Sequence, residues 1–361
     1  FINSKGVIMK KELLLASALI GSLGVAGVAE AASMTMSGHV RNGVVSTDKD
    51  DGSDEAISAS RQTGFSLSLS ETTDTGIEIS TGVSIADEGG AETDESGIVL
   101  TFTGGEKLDL IEAGNSYAGH LASVPGASGE QGIGANSTNS APTGLDYADS
   151  SDAVGFEFHT AADAFGVEGL KASVSANFND DAAATTDSSK LENGFSVGVS
   201  YSTTAGDSTV SIGGGLVQAS STSMSTTKDA ANSVAVAATV ATGNLTVGAG
   251  YASGDQVKDS TTMSAQDLSS VSVTTFGAKY VQDDFTFAVG MTNGKATDVA
   301  IGNSSSGDAD SYSYTGASVD YTVASGVTAT LGFADNESED EGTALNTYGG
   351  SSWYIGANVS F

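Results

Sequence analysis

The sequence has 361 residues, 47 of them glycine and only 2 proline, and carries 13 Lys+Arg against 45 Asp+Glu for a formal net charge of -32. That charge repels nucleic-acid phosphates and so excludes a nucleic-acid partner, while the absence of cysteine excludes thiolate metal sites, cysteine nucleophiles and disulfides together. Mean hydropathy is near zero, and past the N-terminal segment no run of about 20 apolar residues exists, which excludes a transmembrane helix but not strands that cross a membrane.

In chain order, the first thirty-one residues differ from the rest. Met9-Lys10-Lys11 is a short basic start, residues 13–28 are apolar apart from serines, and Ala29-Glu30-Ala31 is a small-x-small pattern. Together these predict a secretory signal peptide cleaved after Ala31, with Phe1 to Ile8 lying upstream of the expected initiator Met9. Residues 1–31 are therefore expected to be upstream residues plus a cleaved signal, and 32–361 a single domain.

From Ser33 onward the dominant period is two. In the stretch from Gly76 to Ala86, Ile77, Ile79, Val83 and Ile85 share one face, with Glu78, Ser80, Gly82 and Ser84 on the other. The same form recurs at Phe65/Leu67/Leu69, Phe195/Val197/Val199/Tyr201, Leu245/Val247/Ala249/Tyr251 and Phe285/Phe287/Val289/Met291. Tight Gly-, Asn- or Asp-bearing links, such as Thr204-Ala205-Gly206-Asp207 and Thr242-Gly243-Asn244, alternate with long polar ones. An up-and-down barrel with short turns on one rim and long loops on the other produces that order. The predicted strands are 33–45, 60–71, 76–86, 98–103, 107–114, 153–160, 170–179, 194–203, 208–219, 232–241, 245–252, 270–281, 285–292, 310–322, 327–335 and 347–361. The fold class is thus all-β, a transmembrane antiparallel up-and-down β-barrel of about sixteen strands, wide enough to enclose water.

The longest non-periodic link, 115–152, is the third long one; links of that length are functional or disordered. It holds His120, Glu130, Asp146, Asp149 and Asp152, and both prolines, Pro125 and Pro142. At the end of the chain, Trp353, Ile355, Ala357, Val359 and Phe361 alternate without interruption. Trp353, Tyr201, Tyr251 and Phe361 are candidates for interfacial aromatic girdles.

Met36-Ser37-Gly38-His39-Val40-Arg41-Asn42-Gly43-Val44 resembles the opening strand of the Gram-negative general (diffusion) porins, particularly their alphaproteobacterial branch. So do Glu71-Thr72-Thr73-Asp74-Thr75-Gly76-Ile77-Glu78 and the stretch from Gly90 to Gly97. The similarity is strongest over residues 34–115 and 347–361. It implies a trimer of sixteen-stranded barrels in the outer membrane, facing lipid and lipopolysaccharide, with the third long loop (about 115–152) folded inward as a constriction opposite a basic wall. It also implies that barrel-assembly machinery reads the last strand through Phe361. The sequence departs from the family at the basic wall. Its two arginines are Arg41, with lumen parity, and Arg61, with outward parity; Gln62 and Gly64 stand where the family carries second-strand arginines. Lys107, Lys171 and Lys279 also have lumen parity. The expected pore-lining and constriction set is His39, Arg41, Glu78, Lys107, Asp109, His120, Glu130, Asp146, Asp149, Asp152 and Lys171.

The expected function is passive diffusion of ions and small hydrophilic solutes, with a cation preference from the acid excess. The alternatives are a substrate-selective channel of the same architecture, or a secreted β-rich adhesin or surface-layer protein. Asp48, Asp50, Asp51, Asp54 and Glu55 cluster around Gly52 and offer oxygen ligands for weakly bound Ca2+, or form a solvated acidic loop. No other cofactor is expected. His39, His120 and His159 are far apart in sequence and match no metal-ligand spacing. No enzymatic constellation stands out, and Gly213-Gly214-Gly215 lies inside a strand pattern where a phosphate loop does not form.

Overall fold

A computed structural model describes residues 32–49, 56–87, 91–110, 116–127, 154–178, 191–221, 230–257, 268–297, 309–340 and 346–361. The expected signal segment lies outside them. Sixteen strands run in chain order: β1 Ser33–Lys49, β2 Ala56–Thr72, β3 Glu78–Asp87, β4 Ala91–Thr101, β5 Lys107–Leu110, β6 Val154–His159, β7 Leu170–Phe178 and β8 Leu191–Ala205. They continue as β9 Ser208–Ser221, β10 Ala230–Thr242, β11 Leu245–Val257, β12 Leu268–Gln282, β13 Phe285–Thr297, β14 Ala309–Ala324, β15 Val327–Asp340 and β16 Asn346–Ser360. Each pairs antiparallel with its sequence neighbours, and β1 pairs with β16 to close the barrel. Gly38 and Phe361 exchange both backbone hydrogen bonds, at 2.9 and 3.0 Å, so the closing seam runs to the last residue. Closure satisfies the ladder on every strand and leaves no free edge, the condition for crossing a bilayer with strands.

The alternation in the sequence becomes two faces. Ile355 (63% exposed), Trp353 (56%), Val289 (42%) and Leu331 (50%) project outward. Ser175, Ser196 and Ser352 on the opposite face are at most 1% exposed. A water-soluble sandwich would reverse this, burying the branched apolar residues and exposing the serines. The apolar stripe therefore faces hydrocarbon and the hydroxyl stripe faces inward. The four expected girdle aromatics are all exposed on the outer face. Phe333 and Trp353 meet at 4.8 Å with their rings tilted by 52°, and Phe285 and Tyr321 meet at 4.8 Å near the short-turn rim.

All sixteen predicted strands are present, and the differences lie at their ends. Most strands run further toward the long loops, by one to seven residues; β15 reaches Asp340 and β11 reaches Val257, whereas β5 ends at Leu110, short of the predicted 114. There the ladder rises beyond the lipid band, both faces are polar, and the period-two signal vanishes while the hydrogen bonds continue. β4 is the extreme case. It starts at Ala91, just before the acidic run Glu92-Thr93-Asp94-Glu95, and an extra residue opposite Ser80–Gly82 shifts its register. The short turns need left-handed backbone, supplied by Gly206 (φ 62) and Gly243 (φ 55), and by Asp283 (φ 51), which tolerates that region.

Leu331 sits between Val319 and Ile355 in the outer stripe. Leu331→Arg is expected to cost about 2–4 kcal/mol, the penalty for a basic residue on a lipid face near the bilayer midplane. Urea unfolding in lipid vesicles reads that loss directly.

Candidate functional site in the barrel interior

The interior face is built mainly from small residues: Ser66, Ser68 and Ser70 on β2, Ser173 and Ser175 on β7, and Ser196, Gly198 and Ser200 on β8. Hydroxyls satisfy each other and water at little volume, which leaves room inside.

The chain after β5 enters that room. A helical turn at Ser116–Gly119 is followed by an irregular segment to Ala127, and this strap touches inward-facing residues from β6 to β14. Its start is anchored by hydrogen bonds. The Ser116 N–H donates to Ser175 Oγ (3.3 Å), and the Ser116 hydroxyl donates to Glu157 Oε1 (2.7 Å). The same Glu157 oxygen accepts from the Ser173 hydroxyl (3.0 Å). His120 is wedged between Ser200 Oγ (Nδ1, 2.8 Å) and Ser173 Oγ (Nε2, 2.9 Å). Burial, then the neighbouring His159, hold its pKa below the usual histidine value, against a raising pull from Glu157 and with a smaller lowering from Lys171. A neutral imidazole, one donor and one acceptor, fits two serine hydroxyls.

Beyond His120 the strap is seated by the absence of side chains. A Cβ on Gly213 would lie 1.8 Å from the His120 carbonyl oxygen, and one on Gly277 would lie 1.6 Å from that of Pro125. One on Gly198 would lie 1.9 Å from the Ser116 carbonyl oxygen, and one on Gly290 would lie 2.9 Å from Gly126 Cα. These glycines lie on β8, β9, β12 and β13 on the lumen side and, with Gly248 and Gly250 of β11, form a track. From His120, over β9, to Ala127, over β14, the strap crosses five inter-strand steps, about 24 Å at about 4.8 Å each. That is close to the reach of seven fully extended residues, about 23–25 Å. The strap therefore runs extended around the wall.

The other sequence-derived candidates fall as follows. Arg41 faces inward on β1, where its guanidinium donates to Gln62 of β2, and the ring of His39 lies over Gly64. Glu78, Lys107 and Lys171 have inward parity and are exposed near the short-turn rim. Asp109 is brought beside His159, Oδ2 to Nε2 at 3.1 Å, and His159 Nε2 lies 3.8 Å from Glu157 Oε1. Glu130, Asp146, Asp149 and Asp152 lie outside the described residues. Of the acidic loop, Asp48 is exposed at the end of β1, and Asp50, Asp51, Asp54 and Glu55 lie outside the described residues.

Two of the three histidines, remote in sequence, thus converge on one wall through Glu157 and Ser173, which sequence reasoning missed together with Ser116, Ser200 and the glycine track. The signal for Glu157 was present: Phe156-Glu157-Phe158-His159 puts a carboxylate and an imidazole on the polar side of one strand.

Several solved structures share this architecture. The anion-selective porin from Comamonas acidovorans aligns over 91% of this chain and 100% of its own, with a TM-score of 0.61 at 13% identity. In-vitro folded OmpT, an outer membrane protein of Vibrio cholerae, aligns over 91% and 98% with a TM-score of 0.58 at 15% identity. A further porin aligns over 91% and 100% with a TM-score of 0.58 at 18% identity. A search of the curated proteins returns no match. The family model for Gram-negative porins matches residues 16–341. With its sixteen-stranded closed barrel, apolar exterior and strapped hydroxyl-rich interior, the chain belongs to the Gram-negative porin family and is an outer-membrane channel protein.

Proposed function

We propose that this porin passes ions and small hydrophilic solutes by passive diffusion, with a modest cation preference, and that the strap at 116–127 opens the constriction loop. The observation that carries the reading is the inward stripe of serine, threonine and glycine inside a closed sixteen-stranded barrel. Such a wall offers weak, interchangeable hydrogen bonds, so solutes enter and leave without being held.

Among inward-facing residues with described side chains, Arg41, Lys107, Lys171 and Lys279 stand against Glu78, Asp109, Glu157 and Asp320. The described interior is therefore near balance, and the chain's net charge of -32 is concentrated elsewhere. Acidic mouths raise the local cation concentration, an effect screened over about 10 Å at 0.1 M salt and about 3 Å at 1 M. The reversal potential under a KCl gradient is expected to favour K+, more strongly at low salt. A potential favouring Cl- at low salt contradicts the preference and leaves the channel intact.

The Ser–His contacts do not support hydrolysis. A nucleophilic triad places the acid on the imidazole; here Glu157 takes the Ser173 hydroxyl, and both ring nitrogens of His120 face serines. One of the similar V. cholerae OmpT structures is a trimer. We extend that assembly to this chain, together with lipopolysaccharide contact outside and recognition of the last strand by assembly machinery.

A further inference from the structure

We infer that Asp109, Glu157 and His159 form a binding site for one divalent transition-metal ion on the pore wall. Three potential ligand atoms, one from each residue, lie within 4.8 Å of one another. They are held by the ladder and not by a loop: Asp109 of β5 is the direct cross-strand partner of Glu157 of β6, and His159 lies two residues on, on the same inward face. The Nε2 of His159 is 3.1 Å from Asp109 Oδ2 and 3.8 Å from Glu157 Oε1. Two ligands bound tetrahedrally at about 2.0–2.1 Å from one ion stand about 3.3 Å apart, so these separations need only small rotations.

A second observation sets this cluster apart from the many acids on the chain. Asp109 Oδ1 is shut off from solvent and has no hydrogen-bond partner, although a buried carboxylate oxygen ordinarily has one. The Ser116 and Ser173 hydroxyls both donate to Glu157 Oε1, the oxygen 3.8 Å from His159 Nε2, and so fix that carboxylate beside the imidazole. The donor set fits a particular class of ion. Imidazole nitrogen favours Zn2+, Cu2+ and Ni2+ over Ca2+ and Mg2+, and the carboxylates balance the charge. His159 and Asp109 keep about a third and a quarter of their side-chain surface (32% and 26%), so the site opens to the lumen and water completes the coordination. A proton on His159 would serve the same two carboxylates, so metal and proton compete.

The test uses the full folded barrel in detergent, stripped with chelator and titrated calorimetrically with Zn2+. One saturable site per chain is expected above the weak background of the acidic loops. His159→Gln and Asp109→Asn should each weaken it at least about 10-fold, since even supporting residues of metal sites are worth about 10–100-fold. Asp207→Asn, in the exposed short turn between β8 and β9, should leave it unchanged. Heat-modifiable gel mobility and metal-free conductance check that each variant is folded, and they also separate failure of this site from failure of the channel reading. Cu2+ bound to the unaltered protein gives an independent readout, with nitrogen hyperfine splitting expected in its electron paramagnetic resonance spectrum. Absence of a saturable site, persistence of that site in both variants, or a nitrogen-free Cu2+ spectrum would overturn the proposal.

Discussion

Gly277→Ala is expected to lower single-channel conductance and make the current noisy, while Gly250→Ala, on the neighbouring strand of the same track, leaves both as they were. The difference follows from what each added methyl meets. At Gly277 the Cβ falls 1.6 Å from the Pro125 carbonyl oxygen, whereas at Gly250 its neighbours, Ala237 and Val124, are both at 3.5 Å, ordinary contact. Overpacking a filled site costs about 1–3 kcal/mol. Both partners at Gly277 are backbone, so neither can rotate away. The wall is a hydrogen-bonded ladder shared with β11 and β13, and the strap already lies against it. The strap therefore yields toward the pore axis, into the path of the ions. Equal conductance and equal noise in the two variants would show that the glycines do not seat the strap.

Glu157→Leu should release the other end. The carboxylate accepts from Ser116 and Ser173, and it is 8% exposed. Each hydrogen bond to a charged group contributes about 1.5–3 kcal/mol, and leucine leaves both hydroxyls facing a group that cannot accept. The strap loses its only charged anchor among the described residues, and the channel should flicker between conductance levels at constant voltage. Glu157→Gln keeps an acceptor oxygen and should lie between. Quiet, single-level openings in the leucine variant would mean that Ser175, His120 and the glycine track hold the strap unaided.

The barrel itself was legible because its physics is periodic. Hydrocarbon outside and water inside impose alternation on every strand within the bilayer, so Phe285, Phe287, Val289 and Met291 announce their strand without a partner in view. Where β4 and β15 rise above the lipid, nothing forces alternation, and their upper halves read as loops. The interior was less legible for a related reason. Gly213 within Gly213-Gly214-Gly215 looks like strand filler until the strap is laid across it. Its role is a contact with His120, 93 residues away in the chain by position number, and no local pattern records such a contact. His120 and His159 likewise match no ligand spacing in sequence, yet strand pairing sets His159 beside Glu157 and opposite Ser173, and the strap carries His120 to the Ser173 hydroxyl. Parity predicted which face each residue takes, but the partner it meets across the lumen depends on register and loop path.

On the proposed function, the hydroxyl-lined interior is an open aqueous passage. Planar-bilayer recording of the detergent-purified protein tests it most directly. Stepwise, ohmic conductance that scales with bulk KCl conductivity is the expected result. Folded, heat-modifiable barrels that insert into the bilayer and carry no current would contradict it.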